Sequence, residues 1–294
     1  MLEGFLQHVD TQSAAALASG DLLPVQAKQI SVQEQDMPFV VRWVSTLAQK
    51  DASRQSVPGG PRDPNFNPFL PPDPMLTVGD YFMTHNTVLN KYALSPQHLV
   101  LATKHFVQQL SPLDLADFSV LAQILHHCDG LGFYNGGEAG GASQPHKHIQ
   151  WIPALPQAPS LALYLTGLPE HAQPGEQHKH AALAYQHVFI RLPYDEHKGW
   201  GCADELGPAL LQAHQTGCVV LGLRPDMSGL LPAHNMLVGQ GWMLLLPRSQ
   251  ESVSGISINA LSYGGCIYVR EPEQQELVRR MGPLQLLAQA ACCD

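Results

Sequence analysis

Charge is scarce in this sequence. Asp, Glu, Lys and Arg make up only 14% of its 294 residues, and 25 acids against 16 bases leave a net charge of −9. The acidic balance removes the basic stripe that a general nucleic-acid binder needs. It leaves room for a small polyanionic ligand, which a few cationic side chains and backbone N–H groups can hold locally. No run of 18 or more apolar residues occurs, so nothing reads as a membrane span. Cys128, Cys202, Cys218, Cys266, Cys292 and Cys293 show no C-x-x-C pairing, which points to a reduced, cytoplasmic protein. The opening "MLEGFLQHVDTQSAAALASG" carries acids early and reads as an amphipathic helix, not a secretory signal. Internal repeats and a clean linker are also missing.

What is abundant is turn chemistry: 24 prolines and 25 glycines imply many turns and long ordered loops, with 51–74 the longest. Strands are expected within 38–50, in "LTVGDYFMTHNTVLNKYAL" and in "HLVLATKHF". "SPLDLADFSVLAQILHHCDG" predicts a helix opening at Ser111-x-x-Asp114 with Pro112 at its first position. Further strands are "LGFYNGG", "HKHIQWI", "YQHVFIRLP" and the pair in "HNMLVGQGWMLLLP", with helices near 202–217 and 284–291. Strand clusters broken by single helices, without βαβ alternation, predict an α+β fold with a largely antiparallel sheet. The length suits one large domain or two intimately joined parts, 1–170 and 171–294.

The densest chemistry lies in "SQPHKHIQW". On a strand, period-two alternation puts His146, His148 and Gln150 on one face and Lys147, Ile149 and Trp151 on the other. The preceding "GGEAGGAS" can turn tightly and offer N–H groups to an anion. An imidazole can attack phosphorus and hold a covalent intermediate. Gln150 cannot take up a proton, which suits a leaving group that is already good, such as a polyphosphate. From the pattern alone, His-x-His also reads as a metal-ligand pair or a surface feature. No other His or Cys pair has convincing ligand spacing, and "HHC" at 126–128 falls on a helix where the three point apart.

"NGGEAGGASQPHKHIQ" resembles the signature of the ATP adenylyltransferases, or diadenosine tetraphosphate phosphorylases, in the histidine-triad superfamily branch with Gln in place of the third His. "NPFLPPDPMLTVG", "THNTVLNKYALSPQHLVLATKHF", "WMLLLPRS" and "NALSYGGCIYVR" resemble family segments in the expected order. The resemblance implies a histidine-triad-like fold and a reversible ping-pong reaction, diadenosine tetraphosphate plus phosphate giving ATP plus ADP. It implies His148 as nucleophile, Gln150 on the α-phosphoryl oxygens and His146 as support. Asn135 and the loop Gly141, Ala142, Ser143 and Gln144 would bind ribose and phosphates. Lys50, Asn90 and Lys91 would meet the distal nucleotide. Asn259, Ala260 and Leu261 would line the site, with Cys266 and Arg270 further along. Members often carry Met and Lys where Cys266 and Arg270 stand, and Ser-Tyr-Asn at 233–235, so nucleotide preference is the property these departures touch. Shielding a tetraphosphate calls for Mg²⁺ or another divalent cation, held mostly by substrate oxygens; no organic cofactor is implied. The remaining readings are a relative acting on ADP with sulfate or on nucleotide sugars, a nucleotide sensor without turnover, and a metal protein using His146 and His148.

Overall fold

The structure, a computed structural model, describes residues 2, 4–23, 27–44 and 66–293. Its strands are β1 (Ala27–Glu34), β2 (Met37–Val44), β3 (Thr77–Gly79), β4 (His85–Leu89), β5 (Leu99–Thr103), β6 (Leu131–Gly136), β7 (His148–Ile152) and β8 (Gln177–His178). They continue as β9 (Val188–Arg191), β10 (Tyr194–Asp195), β11 (Gly199–Trp200), β12 (His234–Gly239), β13 (Trp242–Pro247), β14 (Ser252–Val253), β15 (Ile256–Ser257) and β16 (Cys266–Val269). Nine of them form one sheet in the order β3-β4-β5-β7-β6-β12-β13-β9-β8. Every neighbouring pair in that sheet is antiparallel, as the α+β reading expects.

Both faces of the sheet are covered, and this explains the unbroken apolar runs. Ile149, Trp151, Met236, Val238, Met243 and Leu245 pack toward helices α1 (Phe5–Ser19), α2 (Leu115–Cys128) and α3 (Ala203–Val220). Their alternates Phe133, Leu237, Leu244 and Leu246 pack the other way. That second layer holds the sheet β1-β2-β16 with helices α4 (Ala260–Tyr263), α5 (Pro272–Met281) and α6 (Pro283–Ala290). A strand buried on both sides needs an apolar residue at every position, so "WMLLLP" shows no alternation although its side chains alternate. β12 and β13 join through a two-residue turn, Gln240-Gly241, with φ of 48° and 75°; only the turn types that match strand twist place both residues there.

Two expected boundaries move. Helix α2 starts three residues later than the Ser111 signal: Asp114 is its cap, accepting from the N–H groups of Ala116 and Asp117, while Asp117 accepts from the Asp114 N–H. The reciprocal pair Asp114/Asp117 satisfies two orphan donors, which Ser111 with Pro112 does not. The second shift is at β7, which begins at His148; His146 instead forms an isolated bridge with Gln108, and the Lys147 N–H donates to Val107 O. The C-terminal end also contains α5, which the apolar pattern around 272–281 gave no reason to expect.

Candidate active site

A cavity of about 1190 Å³ opens on the second face of the sheet. Its floor is β5, β7 and β6, one wall is the 66–76 loop, and the opposite wall comes from the β14–β15 hairpin, α4 and Gln274. His148, Gln150, Asn90, Lys91, Asn135, Gly141, Ala142, Ser143, Gln144, Asn259, Leu261 and Arg270 all line it. Residues as distant in sequence as Asn90 and Asn259 are thus gathered in one cavity, with β6 and β12 pairing the two chain halves edge to edge. Ala260 and Cys266 stand outside the lining. Ala260 is buried and contributes its N–H to Asn135 Oδ1 at 2.9 Å, and Cys266 is buried in the apolar layer of β16. Lys50 lies outside the described residues.

His148 is 5% exposed, beside Phe69 with ring centroids 5.2 Å apart. Its Nδ1 lies 2.7 Å from the backbone carbonyl of His146, a partner that can only accept. Nδ1 therefore carries the ring proton, and Nε2 keeps a lone pair. Burial pulls the ring down to about 4, so it is neutral at pH 7. The His148 N–H is held by Gln109 Oε1 at 2.8 Å, and Gln109 Nε2 donates to Asn135 O at 2.7 Å and His148 O at 3.2 Å. One carboxamide thus ties β7 to the end of β6.

His146 is fully buried, within 2.9 Å of both Thr103 Oγ1 and an Asn67 amide, and its ring packs against Phe69 and Phe106. It supports the wall and gives His148 its carbonyl, while its own ring is kept from the cavity. Lys147 points to the other face, as alternation requires, but it is buried rather than solvated. Its Nζ lies 2.7 Å from Asp117 Oδ2 and 3.3 Å from Asp114 Oδ2, and Asp117 Oδ1 takes His85 Nε2 at 3.0 Å. Burial pushes the Asp117 carboxyl up, but the His85 hydrogen bond and the Lys147 charge outweigh it and hold the group below the usual range.

The loop after β6 is tighter than its glycines alone suggest. Gly140, Gly141 and Ala142 donate their N–H groups to the carbonyls of Gly137 and Glu138, so these amides close the turn rather than face the cavity. At Gly141, φ is +87° and a Cβ would sit 2.8 Å from the Cβ of Asn259; glycine is what allows the two halves to meet. Behind the loop, the Asn235 amide donates to Asn135 Oδ1 at 3.0 Å and Gly140 O at 2.7 Å. Arg248, 4% exposed, donates to Asn235 Oδ1 at 2.5 Å and to the carbonyls of Ala290, Gln250 and Ile258 at 2.7–2.9 Å. With Oδ1 of Asn135 occupied by Asn235 and Ala260, its NH₂ is the end left to face the cavity. Asn90 serves its own turn, accepting the Tyr92 N–H at 3.1 Å, and lines the cavity as well.

Asn67, Phe69, His98, Gln109 and Arg248 also shape the site, although no local spacing in the sequence marks them individually, and Asn235 joins them from the "AHN" segment. "AHN" and "PRS" end apolar runs with polar residues, and the burial of such residues was the available clue. Among the described residues no group of three His, Cys, Asp or Glu is placed to hold a metal ion.

Buried neutral histidines carry a consequence for acid stability. Burial lowers His98 and His148 to about 4 and His214 to about 3. In the unfolded chain each takes a proton near 6.5, so the unfolded state binds more protons and stability falls with pH below that value. Each group then costs about 2 kcal/mol at pH 5 relative to pH 7, roughly 6 kcal/mol together. Urea unfolding at the two pH values should show a loss of this size; equal stabilities would mean the three rings are not buried as described.

The N-terminal 2–182 matches the family model described as "Ap4A phosphorylase N-terminal domain", and 181–293 that described as "ATP adenylyltransferase C-terminal domain". Diadenosine 5',5'''-P1,P4-tetraphosphate phosphorylase 2 of Saccharomyces cerevisiae is 26% identical over 311 residues, covering 93% of this chain and 90% of the relative. Protein APA1 of the same yeast is 23% identical over 284 residues, 88% of this chain and 84% of the relative. The crystal structure of yeast Ap4A phosphorylase Apa2 superposes with a TM-score of 0.76 at 22% identity, over 97% of this chain and 93% of that one. The same yeast protein in complex with Ap4A gives a TM-score of 0.75, also at 22% identity, over 97% and 96%. The overall fold is thus a shared one.

Proposed function

The chain belongs to the Ap4A phosphorylase family, with the ATP adenylyltransferase C-terminal domain completing it, and from that premise we propose how it acts. It is a nucleotidyltransferase that splits diadenosine tetraphosphate with inorganic phosphate into ATP and ADP, and runs the reverse transfer. The observation that carries the reading is His148 in the cavity with Nδ1–H tied to the His146 carbonyl and Nε2 unprotonated.

In the first half-reaction His148 Nε2 attacks an α-phosphorus. The P–N bond forms, the bridging P–O bond breaks, and ATP leaves with the electron pair. The ring becomes cationic while its Nδ1 proton stays in place, and the His146 carbonyl stabilises that charge. A polyphosphate leaving group needs no proton, which is why a carboxamide suffices at Gln150. In the second half-reaction a phosphate oxygen attacks the same phosphorus, the P–N bond breaks toward Nε2, and ADP forms. Gln150 and the Asn135 NH₂ donate to phosphoryl oxygens, and Lys91 and Arg270 supply positive charge along the cavity. His146 positions the nucleophile.

A divalent cation would lower the charge of the polyphosphate. Oxygens of the bound polyphosphate would supply most of its ligands. Nucleotides and phosphate are the ligands; we place the enzyme in the cytoplasm, which suits six free thiols. No helix among the described residues is long and apolar enough to cross a membrane. Product analysis with diadenosine tetraphosphate tests the assignment. ATP and ADP should form in equal amounts and only when phosphate is present; AMP formation independent of phosphate would identify a hydrolase, and no product would identify a sensor.

A further inference from the structure

We propose that His98 is a positioning residue for adenylyl transfer, which orients the Gln150 carboxamide so that its NH₂ and not its oxygen faces the phosphoryl group. The proposal rests on the reading of Gln150 as the phosphoryl contact. His98, 2% exposed, immediately precedes β5, the strand that pairs with β7 through Val100 and Gln150. Its Nε2 lies 2.9 Å from Gln150 Oε1. Phe133 packs beside the ring at 5.6 Å and helps to fix its plane.

The orientation follows from where the ring proton can go. The ring is neutral, since burial lowers it to about 4, so one nitrogen carries the single N–H. Its Nδ1 is buried with no hydrogen-bond partner among the described residues. A proton on Nδ1 would bury an unanswered donor. It would also force Gln150 to turn its NH₂ to His98 and its oxygen toward an anionic substrate. A proton on Nε2 avoids both: His98 donates to Oε1, and the Gln150 NH₂ is left for the cavity. Asn90 Nδ2, a donor because its Oδ1 takes the Tyr92 N–H, also lies 3.4 Å from His98 Nε2; this contact is longer than the 2.9 Å one to Gln150 Oε1 and is the one given up when Nε2 carries the proton. A glutamine alone has two nearly isosteric orientations, of which one repels a phosphoryl oxygen. His98 removes that choice before the substrate arrives.

The test is kinetic, with the full-length enzyme, diadenosine tetraphosphate and phosphate. His98→Leu should lower kcat on the order of 10-fold or more, with KM changed little, because the lost contact matters most in the transition state. His98→Gln, whose amide can reach the same oxygen, should recover most of the rate. In a Gln150→Ala background, His98→Leu should have no further effect. If His98→Leu fails to fold by thermal melt, His98→Phe keeps a planar ring and carries the same expectation. Wild-type kcat in folded His98→Leu or His98→Phe overturns the proposal, and so does an equal loss with and without Gln150. Wild-type kcat in Gln150→Ala instead overturns the reading of Gln150 on which the proposal rests.

Discussion

His148→Ala should lower phosphorolysis by at least about 10⁴-fold, the scale seen when a covalent nucleophile is removed from an otherwise intact site. The substitution takes away the unprotonated His148 Nε2, which is oriented through Nδ1–H to the His146 carbonyl at 2.7 Å. The floor and walls do not depend on its ring: Gln109 grips the His148 backbone N–H and carbonyl, which Ala retains. Nucleotide binding, followed by fluorescence or calorimetry with AMP, should therefore persist while turnover is lost. A variant that still turns over within about tenfold of wild type would place the nucleophile elsewhere.

Asp117→Ala should be the most damaging single change to stability away from the cavity, costing about 3–5 kcal/mol. Asp117 is 1% exposed and takes His85 and Lys147 at 3.0 and 2.7 Å. Its removal leaves the Lys147 ammonium buried, with the Asp114 carboxylate at 3.3 Å and the Pro112 carbonyl at 3.5 Å as its remaining partners among the described residues, and strips half of the capping box of α2. Lys147 lies between His146 and His148, so loss of this anchor on the helix side frees the segment that presents the nucleophile. Urea unfolding at pH 7 measures the cost; a loss under about 1 kcal/mol would show that water reaches Lys147 and that the pair behaves as a surface one.

The contrast between these two residues shows what a single sequence discloses. His148 and Gln150 were legible because strand alternation is local: two residues apart means the same face. That Lys147 points away was legible for the same reason, but that it is buried against Asp117 was not, since the partner is 30 positions away on α2. The His98–Gln150 contact spans 52 positions and the Asn235–Asn135 contact 100, and no periodicity encodes either. The antiparallel sheet was legible from strand clusters. Its two-sided burial was not, because a continuous apolar run fits a buried strand and a buried helix equally. The loop glycines announced a tight turn but not that three of its amides would be spent on closing it. Trp151 and Trp242 are core residues, 0% and 2% exposed, whereas the Trp43 indole reaches the Arg270 carbonyl at 3.0 Å.

The central claim is that adenylyl transfer passes through His148 in two half-reactions. Exchange of labelled phosphate into ADP, with no other nucleotide present, tests it most directly. A covalent adenylyl-enzyme must form from ADP alone, release phosphate, and return with label, so wild-type enzyme should catalyse the exchange and His148→Ala should not. Phosphorolysis proceeding without any such exchange, or exchange surviving in His148→Ala at near the wild-type rate, would contradict the account.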